Sequence, residues 1–215
     1  MELFEAINTT RAIRRYTDEP VTDDEIMTCM RAAVQAPSGG NIQPWQFLVI
    51  TDPEVKRKVG EIYKRSWDRY APAVAKAMPA PRTDEERDAR DRTLRSAIYL
   101  AENIGTAPAM VAFLMPNIRM TLSDEQGELD TGTGHASILP AVQNFMLAAR
   151  GLGIGTALTT VYRIYQDDLR ELLSIPESFE VIALVPMGRP KGKFGVAPRR
   201  PAEKSTHWNS FGNRR

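Results

Sequence analysis

Residues 36 to 47 read Ala-Pro-Ser-Gly-Gly-Asn-Ile-Gln-Pro-Trp-Gln-Phe. Pro37 disfavours helical backbone at the residue before it, so a helix arriving from upstream must stop here. The run from Pro37 to Pro44 is loop by composition. Gly39 and Gly40 allow backbone to approach a flat ligand closely. Ser38, Asn41 and Gln43 add side-chain donors and acceptors within one short turn. The plain alternative is a helix-to-strand connection made of turn-forming residues. Upstream, Thr22-Asp-Asp-Glu25 fits a capping box. It opens a helix with Ile26, Met27, Met30, Ala33 and Val34 on its buried side. Downstream, Trp45 to Ile50 reads as a strand.

The same alternation continues in both directions. Leu3, Phe4, Ala6 and Ile7 form a helical stripe that ends near Arg11-Ala-Ile-Arg14-Arg15. Pro53 starts a helix with Val55, Val59, Ile62 and Tyr63 apolar. Residues 71–92 change character, from an Ala/Pro stretch to a charge run ending at Arg92. Such a run predicts a solvated helix face or a mobile excursion, with a lid over a site as the sharper alternative. Leu94 to Ile104 reads as helix, and Ala109 to Met115 as a strand buried on both faces. Residues 116–133 form a polar loop with Gly127, Gly132 and nearby Gly134. A long apolar helix, His135 to Arg150, follows and is stopped by Gly151. Gly155 to Val161 predicts a third strand, Asp167 to Leu173 a short helix, and Val181 to Val185 a fourth strand. Residues 187–215 form a basic, Pro-rich tail. The expectation is one mixed α and β domain over residues 1–215.

The chain has 215 residues, with 28 Lys+Arg against 27 Asp+Glu. That length buries a core without staples. The near-zero balance removes a strong electrostatic case for nucleic acid or an anionic membrane, while local basic clusters could still bind a small anion. Cys29 is the single cysteine, and His135 and His207 are the only histidines, which excludes a disulfide framework and a Cys- or His-rich metal site. Cys29 reads as a small buried hydrophobe rather than a nucleophile. No basic, apolar leader is visible. The most apolar run, Ala107 to Met115, is far short of the ~20 residues of a membrane-spanning helix. The expectation is a soluble, cytoplasmic protein. Gly151-x-Gly153-x-Gly155 follows a helix and precedes a strand, the reverse of a dinucleotide-binding turn, so it reads as a helix stop and a close backbone approach. No Gly-x-Ser-x-Gly elbow and no Gly-x4-Gly-Lys-Ser/Thr loop occurs.

Two basic clusters remain beside the 36–47 loop. Arg11 and Arg14 share a face if their helix continues that far, and two guanidiniums on one face make a fork for a phosphate. A solvated, basic helix end reads equally well. Arg189, Lys191, Lys193, Arg199, Arg200 and Lys204 either are solvated or fold back onto the same anion.

Taken in order, these stretches resemble the FMN-dependent nitroreductase family. Arg-x-x-Arg stands near the start, and Ala36 to Phe47 follows one helix later. Gln143-Asn-Phe-Met-Leu-Ala-Ala-Arg-Gly-Leu-Gly153 is similar to that family's central helix and the turn after it. Pro186-Met-Gly-Arg-Pro190 and Pro198-Arg-Arg-Pro201 resemble its last strand end and its phosphate-contacting tail. Residues 201–209 are similar to a mycobacterial-type branch. The resemblance implies an α+β fold, with a central mixed or antiparallel sheet flanked by helices and two interlocked subunits in a homodimer. It implies FMN as cofactor, with NADPH or NADH as reductant. Arg11, Ala12 and Arg14 would hold the phosphate and ribityl chain, Arg199 would complete the clamp, and Arg14 would also favour charge at flavin N1. Pro37, Ser38, Gly39 and Asn41 would border the ring from the other subunit, with Gln43 nearby. Leu158, Thr159 and Thr160 would lie on the other flank, with a backbone N–H toward N5.

The implied activity is ping-pong hydride transfer through flavin N5 to a nitroaromatic or quinone, with no protein acid or base required. Alternatives are a reductive dehalogenase or a dehydrogenase of one metabolite, a non-enzymatic flavin store or sensor, and a dimer that has lost FMN. The last is kept open by two departures from the family pattern. Thr10 replaces an Arg, and Ala12 replaces a Ser. A hydrogen bond lost to a charged group is worth ~1.5–3 kcal/mol, or roughly ten- to a hundredfold in affinity.

Overall fold

The structure is a computed structural model that describes residues 1–117, 122–129 and 134–215. Its elements run α1 (Leu3–Thr9), α2 (Asp23–Ala33), β1 (Gln46–Ile50), α3 (Pro53–Ala77), α4 (Asp84–Asn103), β2 (Ala109–Pro116), β3 (Leu122–Asp124), β4 (Gly127–Leu129), α5 (His135–Gly151), β5 (Gly155–Thr156), α6 (Gln166–Leu172) and β6 (Phe179–Gly188). The main sheet has the order β1-β2-β6-β5, and each pairing is antiparallel.

The unbroken apolarity of β2 reflects two cores, one on each face. Ala109, Val111 and Phe113 pack with α2 and α5, through Ile26, Cys29, Met30, Ile138, Val142 and Phe145. Met110, Ala112 and Leu114 pack with Val59, Ile62, Tyr63, Leu100 and Leu169 of α3, α4 and α6. Alternation with period two delivers successive side chains to opposite layers. The β2–β6 register slips between Phe113 and Leu114, so Phe113 faces Ala183 and Leu114 faces Val181. Ile182 is the extra residue, and this bulge reverses the alternation of β6. Val181 therefore joins one core on one side of the bulge, and Leu184 joins that same core on the other. Phe47, Phe113 and Phe145 form an edge-on chain across the α2–α5 core, with centroids 5.3 Å apart at each step.

The capping box at Thr22 forms with both bonds. Thr22 Oγ1 accepts from the Glu25 N–H, and Glu25 Oε2 accepts from the Thr22 N–H at 3.0 Å. Of the apolar set predicted for α2, Ile26, Met30 and Ala33 are buried, but Met27 and Val34 are exposed. Cys29 fills the place they left. The stripe of α1 also departs from expectation. Only Ala6 is buried, and Phe4 is 75% exposed.

Several boundaries move. Residues 71–92 are the end of α3, a short turn and the start of α4, so the charge run is a helix reaching from Asp84. Its N-cap is Thr83, whose Oγ1 accepts from the Glu86 N–H at 3.1 Å. The 116–133 loop contains the β3–β4 hairpin, while Gly132 lies outside the described residues. Gly151 belongs to α5. The stop is Gly153, at φ +74°. The Ile154 N–H reaches the Ala149 carbonyl and the Gly153 N–H the Arg150 carbonyl, a Schellman closure. The strand predicted for 155–161 is regular only at Gly155 and Thr156. Beyond that, Thr159 holds an isolated bridge to Leu184, and 161–165 coil into a 3-10 turn.

Candidate functional site

Helix α1 ends because Thr10 turns extended, and both its N–H and its hydroxyl donate to the Ala6 carbonyl, at 2.9 and 2.7 Å. The chain then runs beside the sheet edge. Ala12 bridges Thr156 in parallel, and Tyr16 bridges Pro190. The shared helical face expected of Arg11 and Arg14 therefore does not exist. On extended backbone, residues three apart point to opposite sides. Arg14 Nη1 donates to Ser96 on α4 at 3.3 Å, and Arg15 lies 3.8 Å over the Tyr99 ring. Arg11 faces a cavity and reaches the Lys193 carbonyl at 3.4 Å.

That cavity encloses about 330 Å3 and is lined by Ile7, Thr10, Arg11, Ala12, Gln143, Met146, Thr156, Leu158 and Arg199. Four of the expected site residues meet here: Arg11, Ala12, Leu158 and Arg199. Two cations arrive from opposite ends of the chain, and no lining residue is acidic. The walls combine hydroxyl and amide groups with apolar side chains. Gln143 and Met146 lie in the 143–153 stretch quoted above, but the sequence did not mark them as site residues. Their spacing of three on α5 puts them on one face, which is the signal that could have found them. A larger surface depression, about 470 Å3, lies between Lys58, Glu61, Arg65, Asp168 and Glu171. Arg65 and Asp168 pair at 2.7 Å across it, so opposite charges there satisfy each other.

The remaining expected residues sit elsewhere in this chain. Thr159 is turned inward, and its hydroxyl shares a 2.8 Å hydrogen bond with that of Tyr63. Thr160 is exposed beside it. Burial raises the Tyr63 phenol, an effect opposed by this bond and by Arg14. Pro37, Ser38, Gly39, Asn41 and Gln43 lie over the start of α5, where Ser137 Oγ accepts the Gly39 N–H at 3.2 Å. The loop braces itself. Ser38 Oγ accepts the Gln43 N–H at 3.0 Å, and Asn41 Oδ1 accepts from Gln43 Nε2 at 3.2 Å. Asn41 and Gln43 both hold positive φ, +54° and +51°, a conformation that costs L residues energy and recurs at ligand-contacting segments.

Of the tail cations, Arg189 is committed to structure. It pairs with Glu25 at 2.5 Å and Glu19 at 3.1 Å, and donates to the Leu152 carbonyl. Glu25 is held below the usual carboxylate range, first by its bond to the Thr22 N–H and then by Arg189. Cys29 is wholly buried, and burial pushes its thiol up to about 12. Among the described residues no cluster of His, Cys, Asp and Glu could hold a metal, and no helix is long and apolar enough to cross a membrane.

A family model described as the nitroreductase family matches residues 7–189. The chain belongs to that family. Membership makes it an oxidoreductase of the flavoenzyme type. A protein of Archaeoglobus fulgidus named "Putative NADH dehydrogenase/NAD(P)H nitroreductase" is 30% identical over 192 residues, 88% of this chain and 86% of its own. Iodotyrosine deiodinase 1 of Rattus norvegicus is 27% identical over 88% of this chain and 62% of its own. Among solved structures, an oxidised iodotyrosine deiodinase bound to FMN and 3-iodo-L-tyrosine superposes with a TM-score of 0.74 at 19% identity, covering 98% of this chain and 100% of that one. These likenesses support the α+β nitroreductase fold, with its antiparallel sheet between helical layers.

Proposed function

We propose that the protein is an FMN-dependent NAD(P)H oxidoreductase that reduces electron-poor acceptors such as nitroaromatics or quinones. The observation that carries this is the presence of Arg11 and Arg199 together in the lining of one cavity with polar and apolar walls and no acidic residue. The lining suits a ligand with a dianionic phosphate at one end and an apolar body. The cradle therefore fits FMN. When bound, FMN would supply the redox chemistry, ping-pong hydride transfer through flavin N5 between NADPH or NADH and the acceptor.

The residues of this chain bind and orient. Arg11 and Arg199 neutralise the phosphate, and Ala12 contributes only a backbone N–H where a hydroxyl would add a further bond. Leu158 provides an apolar wall, and Thr159 beside it is held by the hydrogen bond it shares with Tyr63 and by its backbone bonds to Leu184. Arg14, which donates to Ser96 in this structure, would be the cation that favours negative charge on the bound flavin. Pro37, Ser38, Gly39, Asn41 and Gln43 serve the site of the partner in a homodimer. A cavity near the lower end of ordinary ligand sites agrees with a wall completed by a second subunit.

A second reading, reductive removal of halogen from one specific metabolite, draws on the likeness to iodotyrosine deiodinases. An anaerobic NADPH titration of FMN-reconstituted protein tests the proposal. The flavin absorbance should bleach stoichiometrically and return on adding a nitroaromatic or quinone. Bound FMN that neither NADPH nor NADH bleaches would overturn the reductase reading.

A further inference from the structure

Arg150 carries a charge that the proposed chemistry does not use. It sits in the last turn of α5 with only 9% of its surface exposed. Its Nε donates to Thr9 Oγ1 at 2.8 Å. The carboxylate that faces it, Glu5, is 3.8 Å away and 54% exposed, a loose pairing for a buried cation. Its other partner comes from the tail. The guanidinium carbon lies 4.0 Å from the centre of the Phe194 ring, within the range where an aromatic face attracts a cation.

The residue before Phe194 is held as well, because the Lys193 carbonyl accepts from Arg11. Two arginines of the body thus grip adjacent tail residues. Five residues later Arg199 lines the same cavity as Arg11. Arg199 itself donates to the adjacent Pro198 carbonyl at 3.1 Å, a bond within the tail that does not tie it to the body. Its position therefore depends on the anchor upstream.

We infer that Arg150 and Phe194 are positioning residues that clasp the tail so that Arg199 reaches the phosphate end of the cavity. The inference rests on the phosphate role proposed above. It assigns the buried arginine a part in ligand binding, although Arg150 does not line the cavity.

The test compares FMN with riboflavin, which lacks the phosphate, each titrated into the apoprotein and followed by flavin fluorescence. Phe194→Leu keeps apolar bulk but removes the ring face. It should raise the FMN Kd about three- to tenfold, the scale of one cation–π contact, and leave the riboflavin Kd unchanged. Phe194→Tyr keeps the face and should bind FMN as the unmodified protein does. A Phe194→Leu, Arg199→Ala double variant should bind FMN no more weakly than Arg199→Ala alone, because the two residues act through one contact. Equal weakening of both flavins by Phe194→Leu, or additive losses in the double variant, would overturn the inference. So would a Phe194→Leu protein with full FMN affinity when Arg199→Ala has lost it. If Arg199→Ala binds FMN normally, the phosphate assignment itself fails and the clasp falls with it.

Discussion

Ala12 and Thr156 are partners in a single parallel bridge, fixed by a 2.8 Å bond from the Ile13 N–H to the Thr156 carbonyl. This contact joins the N-terminal arginine segment to the sheet edge and sets where Arg11 stands. It needs Gly155. A Cβ there would come within 2.6 Å of Ile13 Cγ2. Gly155→Val should displace Ile13 and cost about 1–3 kcal/mol as overpacking. FMN affinity should fall with it, because Ala12 and Thr156 both line the cavity. Thermal melts and flavin titration check this together. A variant with unchanged Tm and affinity would refute the coupling.

Arg11→Ala and Arg199→Ala should each weaken FMN binding roughly ten- to a hundredfold, the worth of a charged hydrogen bond. Both side chains are exposed, so the melting temperature of the apoprotein should hardly move. Full FMN affinity in both variants would remove the phosphate clamp.

Helix α1 turns Leu3 and Phe4 to solvent, with Phe4 75% exposed. An apolar helix face left uncovered in one chain suits burial against a second copy. Phe4→Asp should shift the protein toward monomer in light scattering. FMN affinity should fall in parallel if the 37–43 loop serves the partner's site. A Phe4→Asp protein that remains fully dimeric would place the contact elsewhere.

Buried phenols and one thiol set the alkaline limit. Burial raises Tyr16, Tyr63 and Tyr162 above their ordinary value of 10.0. It moves Cys29 from 9.0 to about 12. The unfolded chain loses these protons at the ordinary values, so above about pH 9 it holds fewer protons than the folded protein. Stability is fully present below that pH and falls as pH rises through the window. Tm should be level from neutral pH to about pH 9 and drop beyond it, less steeply in Tyr162→Phe. Alkylation of Cys29 at mildly alkaline pH should await unfolding. A Tm that holds well past pH 10, or rapid native alkylation, would contradict this.

Local chemistry was legible where a few adjacent residues decide the outcome. Thr22 and Glu25 specify their own capping box, and the apolar run from Ala109 needs two covering layers. The cavity was legible in part. Arg11, Ala12, Leu158 and Arg199, each named from the sequence, line one cavity. What escaped depends on distant partners. Arg14 lies apart from Arg11 because Thr10 ends α1 two turns in, and a spacing of three reads differently on extended chain. Thr159 turns inward because Tyr63, far away in sequence, offers it a hydroxyl. Gly151 and Gly153 are equivalent as helix stops by composition, and only the Schellman bonds choose between them. The exposed stripe on α1 has the period of a core helix, and periodicity is blind to whether the covering layer belongs to the same chain.

The cavity draws one wall from residues 7–12 and another from residue 199. A phosphate held between Arg11 and Arg199 would act as a stitch between the two ends of the polypeptide. Without it, the stretch beyond Phe194 would be more open to proteases; with it, that end would be sewn down. Cofactor supply would then govern how long each molecule survives in the cell as well as whether it can react.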